Sequence, residues 1–223
     1  MFDIVFISYN EPNADVNWNK LRNRFHYARR IQGVTGIHKA HIIAAKTSLS
    51  EMVWIVDGDS QVVDDFTFAN PAGLWKESVY VYQARNPLNN LAYGYGGIKL
   101  LPRWKTIHMD SNSVDMTTSI SEQFTAVDEV ASITCFNTDP FNTWKSAFRE
   151  CVKLSSKIID GQISKESEER LDVWSSTANG DFSEECLTGA IEGRKYGNEN
   201  AGNIPALNKI NNFVWLKEKF NQI

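Results

Sequence analysis

Of 223 residues, only three are cysteine, six proline and four histidine. Cys135, Cys151 and Cys186 cannot all pair with one another and show no Cys-x-x-Cys spacing. A disulfide framework and a thiolate zinc site are therefore excluded, and reduced thiols that serve packing are expected. No apolar run approaches the roughly 18 residues of a membrane-crossing helix. The opening Met1 to Ser8, interrupted by Asp3, has neither a basic start nor a small-residue cleavage site. A cytoplasmic protein without a membrane partner is expected. Positive charge is also scarce: 23 Lys and Arg stand against 27 Asp and Glu, a net charge of -4. Any contact with a polyanion must then rest on a local basic patch. Repeats, low-complexity tracts and long linkers are missing, which predicts one domain over residues 1–223.

What is present is enough apolar material, 42% hydrophobic and 12% aromatic, to bury one substantial core. Phe2 to Tyr9 reads as a buried strand stopped by Asn10-Glu11-Pro12-Asn13. Trp18, Leu21, Phe25 and Ala28 recur at helical spacing and predict a helix from Trp18 to Arg30, with Lys20, Arg22, Arg24, Arg29 and Arg30 giving it a basic face. An alanine-rich helix from Ile37 to Leu49 leads into a strand, Met52 to Val56. Ser78 to Ala84 and Val127 to Phe136 are further strands, with turns at Asn86 to Asn90 and Gly94 to Gly97. A helix is expected from Asn142 to Ile159, a glycine- and asparagine-rich loop from Gly193 to Gly202, and a last helix from Asn208 to Phe220. Trp104, Trp144, Trp174 and Trp215 read as core residues. The order predicts an α/β fold with a mixed, mostly parallel sheet flanked by helices and a helical C-terminal part.

The sharpest chemical feature is Asp57-Gly58-Asp59, two carboxylates around a glycine directly after a hydrophobic strand. An open α/β sheet places its ligand crevice at such strand ends. Mg²⁺ or Mn²⁺ prefers oxygen donors and commonly takes one or two protein carboxylates, completing its shell with water and substrate phosphate. The same tripeptide also makes ordinary turns. Arg85, placed between a strand and Asn86-Pro87, is suited to gripping phosphate.

Three signals in sequence order, Tyr9-Asn10-Glu11, Gly36-Ile37-His38-Lys39-Ala40-His41 and Val53 to Asp59, resemble nucleotide-sugar glycosyltransferases of the GT-A fold. The resemblance covers about Phe2 to Ser119. It implies a metal at Asp57 and Asp59, with Asp59 the more direct ligand. By the same resemblance Tyr9, Asn10 and Glu11 lie beside a uracil-type base, His38 and Lys39 near the ribose and diphosphate, and Gly96 and Gly97 along the donor-sugar cleft. His41 is read as packing against the sheet. Tyr93 to Leu100, Val114 to Ser119 and Asn211 to Leu216 further resemble small bacteriophage-encoded transferases that modify hydroxymethylated cytosine. That likeness implies double-stranded DNA as one acceptor and the host cytoplasm as the location. Lys20, Arg22, Arg24, Arg29, Arg30, Lys99, Arg103 and Lys105 are the cations that could neutralise its phosphates, and they serve equally well as a solvated face.

An inverting transfer needs a carboxylate base. Asp115 is the first candidate, with Asp128, Glu129 and Asp181 as rivals. The Glu-Asp pair and later Gln-x-x-Arg-Trp of the usual inverting family are absent. A nucleotidyltransferase of similar fold would carry a glycine-rich loop after the first strand, where this chain has none. A glycan or small-molecule acceptor, and a non-enzymatic nucleic-acid-binding module, are the alternatives to DNA modification.

Overall fold

The computed structural model describes residues 1–94, 96–158 and 163–223. Two compact units are found: residues 1–86 with 92–112 and 116–135, and residues 87–91 with 113–115 and 136–223. The first unit holds β1 (Asp3–Ser8), α1 (Ala14–Arg24), β2 (Arg29–Gln32), α2 (Ile37–Thr47), β3 (Met52–Asp57), β4 (Ser60–Val62), β5 (Val79–Arg85), β6 (Ala92–Tyr93), β7 (Ile98–Pro102), α3 (Arg103–Ile107) and β8 (Phe124–Thr134). Among the described residues its strands form one sheet in the order β2-β1-β3-β7-β5-β8-β4, with β6 on β5.

Alternation along the strands explains why both faces are covered. Ile4, Phe6, Trp54 and Val56 pack with Ala14 and Leu21 of α1 on one face. Val5, Ile7, Val53 and Ile55 meet Ala40, Ala44 and Ala45 of α2 on the other. The α/β class is as expected, but the sheet is mixed rather than mostly parallel. Three strand pairings are parallel, β1 with β2, β1 with β3 and β5 with β8, and four are antiparallel. The cause is β7, which enters between β3 and β5 against both.

The first helix also departs from expectation. It starts at Ala14 and stops at Arg24, and the Phe25 and Ala28 amides close a turn on Leu21 and Phe25. Arg29 and Arg30 therefore lie in β2, where residues 29–32 pair with Val5 to Ser8 of β1. Trp104, expected in the core, is 70% exposed, whereas Trp144 and Trp174 are buried.

The second unit is helical: α4 (Pro140–Ser156), α5 (Ser164–Ser176), α6 (Ser183–Glu199), α7 (Ile204–Leu207), a 3-10 turn (Asn208–Asn211) and α8 (Phe213–Phe220). Asp139 caps α4 by accepting from the Asn142 amide at 2.8 Å, and Pro140 begins the helix. Ile159, where this helix was expected to end, lies outside the described residues, as does Tyr95. The expected single helix over Asn208 to Phe220 is divided at Asn212, whose side chain accepts from the Val214 and Trp215 amides at 3.0 and 3.1 Å.

Residues 193–199, expected in a loop, belong to α6. Gly189, Gly193 and Gly197 fall four apart on one face of that helix, against α4. A methyl group at Gly193 would lie 2.9 Å from Phe148 Cα and closer still to its carbonyl oxygen. The glycines are the small residues that let two helix backbones touch, as in close-packed helix pairs generally. Ala147, Cys151, Cys186 and Ala190 fill the rest of that seam.

Candidate functional site

Strands β2, β1, β3, β5 and β8 run in one direction, so Gln32, Ser8, Asp57, Arg85 and Thr134 end them at the same end of the sheet. Antiparallel β4 and β7 begin there, at Ser60 and just after Gly96-Gly97. The chain runs from β1 out to β2 and back past β1 to β3. The strand order thus reverses between β1 and β3, and the carboxyl ends of the strands at such a reversal are the position where open α/β sheets hold ligands. Tyr9-Asn10-Glu11 leaves β1 and Asp57-Gly58-Asp59 leaves β3 there, with Ile7 in register with Asp57.

The acidic turn is held from three sides. Asn17 of α1 donates to Gly58 O at 3.0 Å, the Cys135 amide donates to Asp59 O at 2.7 Å, and the Asp57 amide donates to Gly97 O at 3.0 Å. Asn13 Nδ2 in turn donates to Cys135 O at 2.7 Å. Gly58 is required by close approach: a Cβ there would lie 2.7 Å from Glu11 Oε2 and 3.0 Å from Ser8 Cβ. Glu11 Oε2 accepts from the Tyr9 amide at 2.7 Å, which folds the loop back onto the turn.

Lys99, in the otherwise apolar strand β7, is 2% exposed. Its ammonium donates to both oxygens of Asp57, at 2.8 and 2.7 Å, and to Gly96 O. A buried ammonium and a partly buried carboxylate thus neutralise one another within the turn. The charge of Asp59 is felt at Cys135, where burial, joined by that carboxylate, pushes the thiol pKa up despite Lys20 and a hydrogen bond from the Gln61 backbone. Behind the turn lie hydroxyls with no sequence signature. Ser60 Oγ donates to Asp59 Oδ1 at 3.5 Å. A Cβ on Gly97 would come within 2.7 Å of Ser60 Oγ and 2.9 Å of Ser132 Oγ. Ser132 Oγ and Thr134 Oγ1 are buried with no hydrogen-bond partner among the described residues.

In comparisons with family models, curated proteins and solved structures, nothing matches this chain.

Of the expected donor-site residues, Tyr9, Glu11, Asp57, Gly96 and Gly97 are tied together by the contacts above. Arg85 is exposed at the same end of the sheet, closing β5. Asn10 is exposed in the loop after β1, and His38 and Lys39 stand in the first turn of α2. His41 is fully buried, its Nδ1 2.9 Å from Ile37 O.

Asp115 lies in the second unit, 5% exposed, with Oδ2 2.8 Å from Lys153 Nζ. Asp128 is exposed and accepts from Gln83 at 2.7 Å. Glu129 and Asp181 are exposed.

The cations named as phosphate contacts have structural work. Arg24 donates to the carbonyls of Val63, Asp64 and Phe66, and Arg29 to that of Thr47. Arg30 pairs with Asp15 at 2.6 Å, Arg103 donates to Ala45 O and Ser48 O, and Lys105 pairs with Glu77 at 3.0 Å. Lys20 donates to Gln61, and Arg22 lies over Trp18. Arg29 and Arg30 are off the helix, so its basic face is shorter than expected.

Proposed function

We propose that the chain is a metal-dependent glycosyltransferase of the GT-A type that binds a nucleotide sugar, of the UDP class, at the carboxyl ends of β1 and β3. The observation that carries this reading is the clamped Asp57-Gly58-Asp59 turn at the point where the strand order reverses. Among the described residues no group of three or more metal-ligating side chains occurs. Two carboxylates alone nevertheless fit Mg²⁺ or Mn²⁺, because these ions complete their shells with water and substrate phosphate. Asp59 suits the direct ligand, since Asp57 already binds the Lys99 ammonium through both oxygens. Bound there, the ion supplies Lewis acidity to the departing diphosphate.

The chain's own groups do the rest. Tyr9 and Glu11, in the loop after β1, would flank the base, and Arg85 offers a bidentate grip on phosphate. Lys99 holds the Asp57 carboxylate in one orientation. In the reaction the bond from the anomeric carbon to the diphosphate oxygen breaks, the acceptor oxygen bonds to that carbon, and its proton leaves to a base or to water. An acceptor hydroxyl on 5-hydroxymethylcytosine in DNA accords with the bacteriophage-type resemblance, and a glycan or small-molecule hydroxyl is the second acceptor class.

The test is release of nucleoside diphosphate from a panel of nucleotide sugars with Mn²⁺, Mg²⁺ or EDTA. Turnover, or slow donor hydrolysis, should need the metal and disappear in Asp59→Asn. Absence of both turnover and binding for every nucleotide sugar in the presence of metal sinks the reading.

A further inference from the structure

The loop that joins α5 to α6 in the second unit is tied at its ends and open in its middle. The Thr177 amide closes α5 on Val173 O, the Asn179 amide donates to Leu88 O at 2.8 Å, and the Cys186 amide donates to Phe182 O at the start of α6. Between these ties Asn179 and Gly180 are both exposed. The Asn179 side-chain amide and the Gly180 backbone N–H make no hydrogen bond among the described residues. Gly180 stands at φ 95°, and no Cβ shields its nitrogen. A Cβ placed there would meet only Leu88 Cδ2, at 3.8 Å, so a neighbouring side chain has room to swing. Asn179-Gly180 is the one Asn-Gly step in the chain. Three other asparagines precede alanine or serine, and each has its side-chain amide engaged. Asn13 donates to Cys135 O at 2.7 Å, Asn112 to Asp110 Oδ1 at 3.1 Å and Asn200 to Tyr196 O at 2.9 Å.

We propose that Asn179-Gly180 is a site of self-modification, at which the chain converts with time to aspartyl and isoaspartyl forms. Asparagine is a thermolabile residue because a backbone nitrogen can attack its side-chain amide. Here the Gly180 nitrogen loses its proton and bonds to Asn179 Cγ. The bond from Cγ to the side-chain nitrogen breaks, ammonia leaves with that proton, and a five-membered succinimide remains. Water then opens the ring at either carbonyl. Opening at Cγ leaves an aspartate on an unaltered main chain, and opening at the main-chain carbonyl leaves an isoaspartate whose main chain runs through Cβ. Either product adds one carboxylate next to Asp181 and ahead of Glu184 and Glu185 in the first turn of α6, where the helix dipole favours negative charge. The isoaspartyl form also places one more main-chain carbon between the amide tied to Leu88 O and α6. It belongs to the substrate class of carboxyl-methylating repair enzymes. The inference does not rest on the transfer reaction, and its test involves no nucleotide sugar.

The purified full chain, kept warm in mildly alkaline buffer and mapped by trypsin, should show the peptide over residues 171–194 gaining the mass difference between OH and NH2. The gain should be faster at higher pH, because the attacking nitrogen must lose its proton. Protein L-isoaspartate methyltransferase should transfer labelled methyl groups from S-adenosylmethionine to the aged chain and not to the fresh one. Asn179→Gln, which would have to close a six-membered ring, should lose both signals. Peptides carrying Asn13, Asn112 and Asn200 should convert only after unfolding in urea. Circular dichroism checks that the variant is folded. The proposal is overturned if the 171–194 peptide keeps its mass while the folded chain ages, if Asn179 converts only in urea, or if the aged Asn179→Gln chain accepts as much methyl label as the aged wild type.

Discussion

Replacing Gly193 by alanine puts the packing of α6 on α4 to a test in which two effects have opposite signs. In an exposed helix this change stabilises by about 1 kcal/mol, because alanine loses less backbone entropy. At Gly193 the new Cβ would meet Phe148 Cα at 2.9 Å and its carbonyl oxygen at a shorter distance, and backbone atoms cannot rotate aside. The helices would have to separate by several tenths of an ångström along a seam lined by Ala147, Cys151, Cys186 and Ala190. Overpacking of this kind costs about 1 to 3 kcal/mol, and here it falls at the upper end. The expected net loss is about 2 kcal/mol, a drop in Tm of about 4 to 8 °C for a chain of this size. Thermal denaturation followed at the helical circular dichroism band reads it directly. Gly189→Ala should behave alike, since its Cβ would meet Trp144 backbone. Gly197→Ala should cost least, because the nearest group is the rotatable Ser155 hydroxyl and the nearest backbone atom is Val152 O at 2.7 Å. Lys195→Ala on the exposed side of α6 should stay within about 0.5 kcal/mol. A higher Tm for Gly193→Ala would refute the close helix contact.

Lys99→Met should destabilise the protein by about 2 kcal/mol, because Asp57 is left at its partly buried site without the lysine, and Lys99→Met/Asp57→Asn should recover part of the loss in urea denaturation. Asp3 Oδ2 accepts from the Leu49 and Ser50 amides and the Ser48 hydroxyl, and Asp3→Asn should cost about 2 kcal/mol near neutral pH. Burial alone would raise the Asp3 pKa, but these donors and Arg29 outweigh it and hold it below 3.8. Its stabilisation is therefore fully present above 3.8 and disappears as pH falls through the lower folded-state value, so the gap between wild type and Asp3→Asn should close in acid. Burial pushes the Cys186 thiol up to about 12 and raises Cys151 well above its ordinary range. A disulfide-exchange reagent at pH 8 should leave both untouched in the folded chain and titrate them on unfolding, whereas the partly exposed Cys135 should react slowly.

Local patterns made β1, α2, β3 and the acidic turn legible, because each is a short apolar or alanine-rich run bounded by its own breaker. The end of α1 was not, since Arg22 to Arg30 has helical composition and only pairing with β1 draws Arg29 and Arg30 into a strand. Glycine misled over residues 193–199: the residue that usually opens a loop here lets one helix touch another, and the four-residue spacing from Gly189 was the available signal. The direction of β7 is set by neighbours distant in sequence, and with it went the expectation of a mostly parallel sheet. Within the site, Asp57 and Asp59 could be found from position, and Lys99 from being the one charge in Ile98 to Leu101. Ser60, Ser132 and Thr134 come together only through the register of β4 with β8. The basic residues were visible, but not that backbone carbonyls would occupy Arg24, Arg29 and Arg103.

The insertion of β7 between β3 and β5 also has a consequence for biosynthesis. Strands β3 and β5 leave the ribosome with a strand-wide gap between them, and each presents an unpaired edge until residues 98–102 arrive. Exposed edges of apolar strands recruit other chains, so the nascent protein is most vulnerable to misassembly over this interval. Lys99 rides on the strand that fills the gap. The charge that neutralises Asp57 therefore arrives with the last partner of β3, whereas β5 and the Asp59 end of the turn still wait for β8 and Cys135.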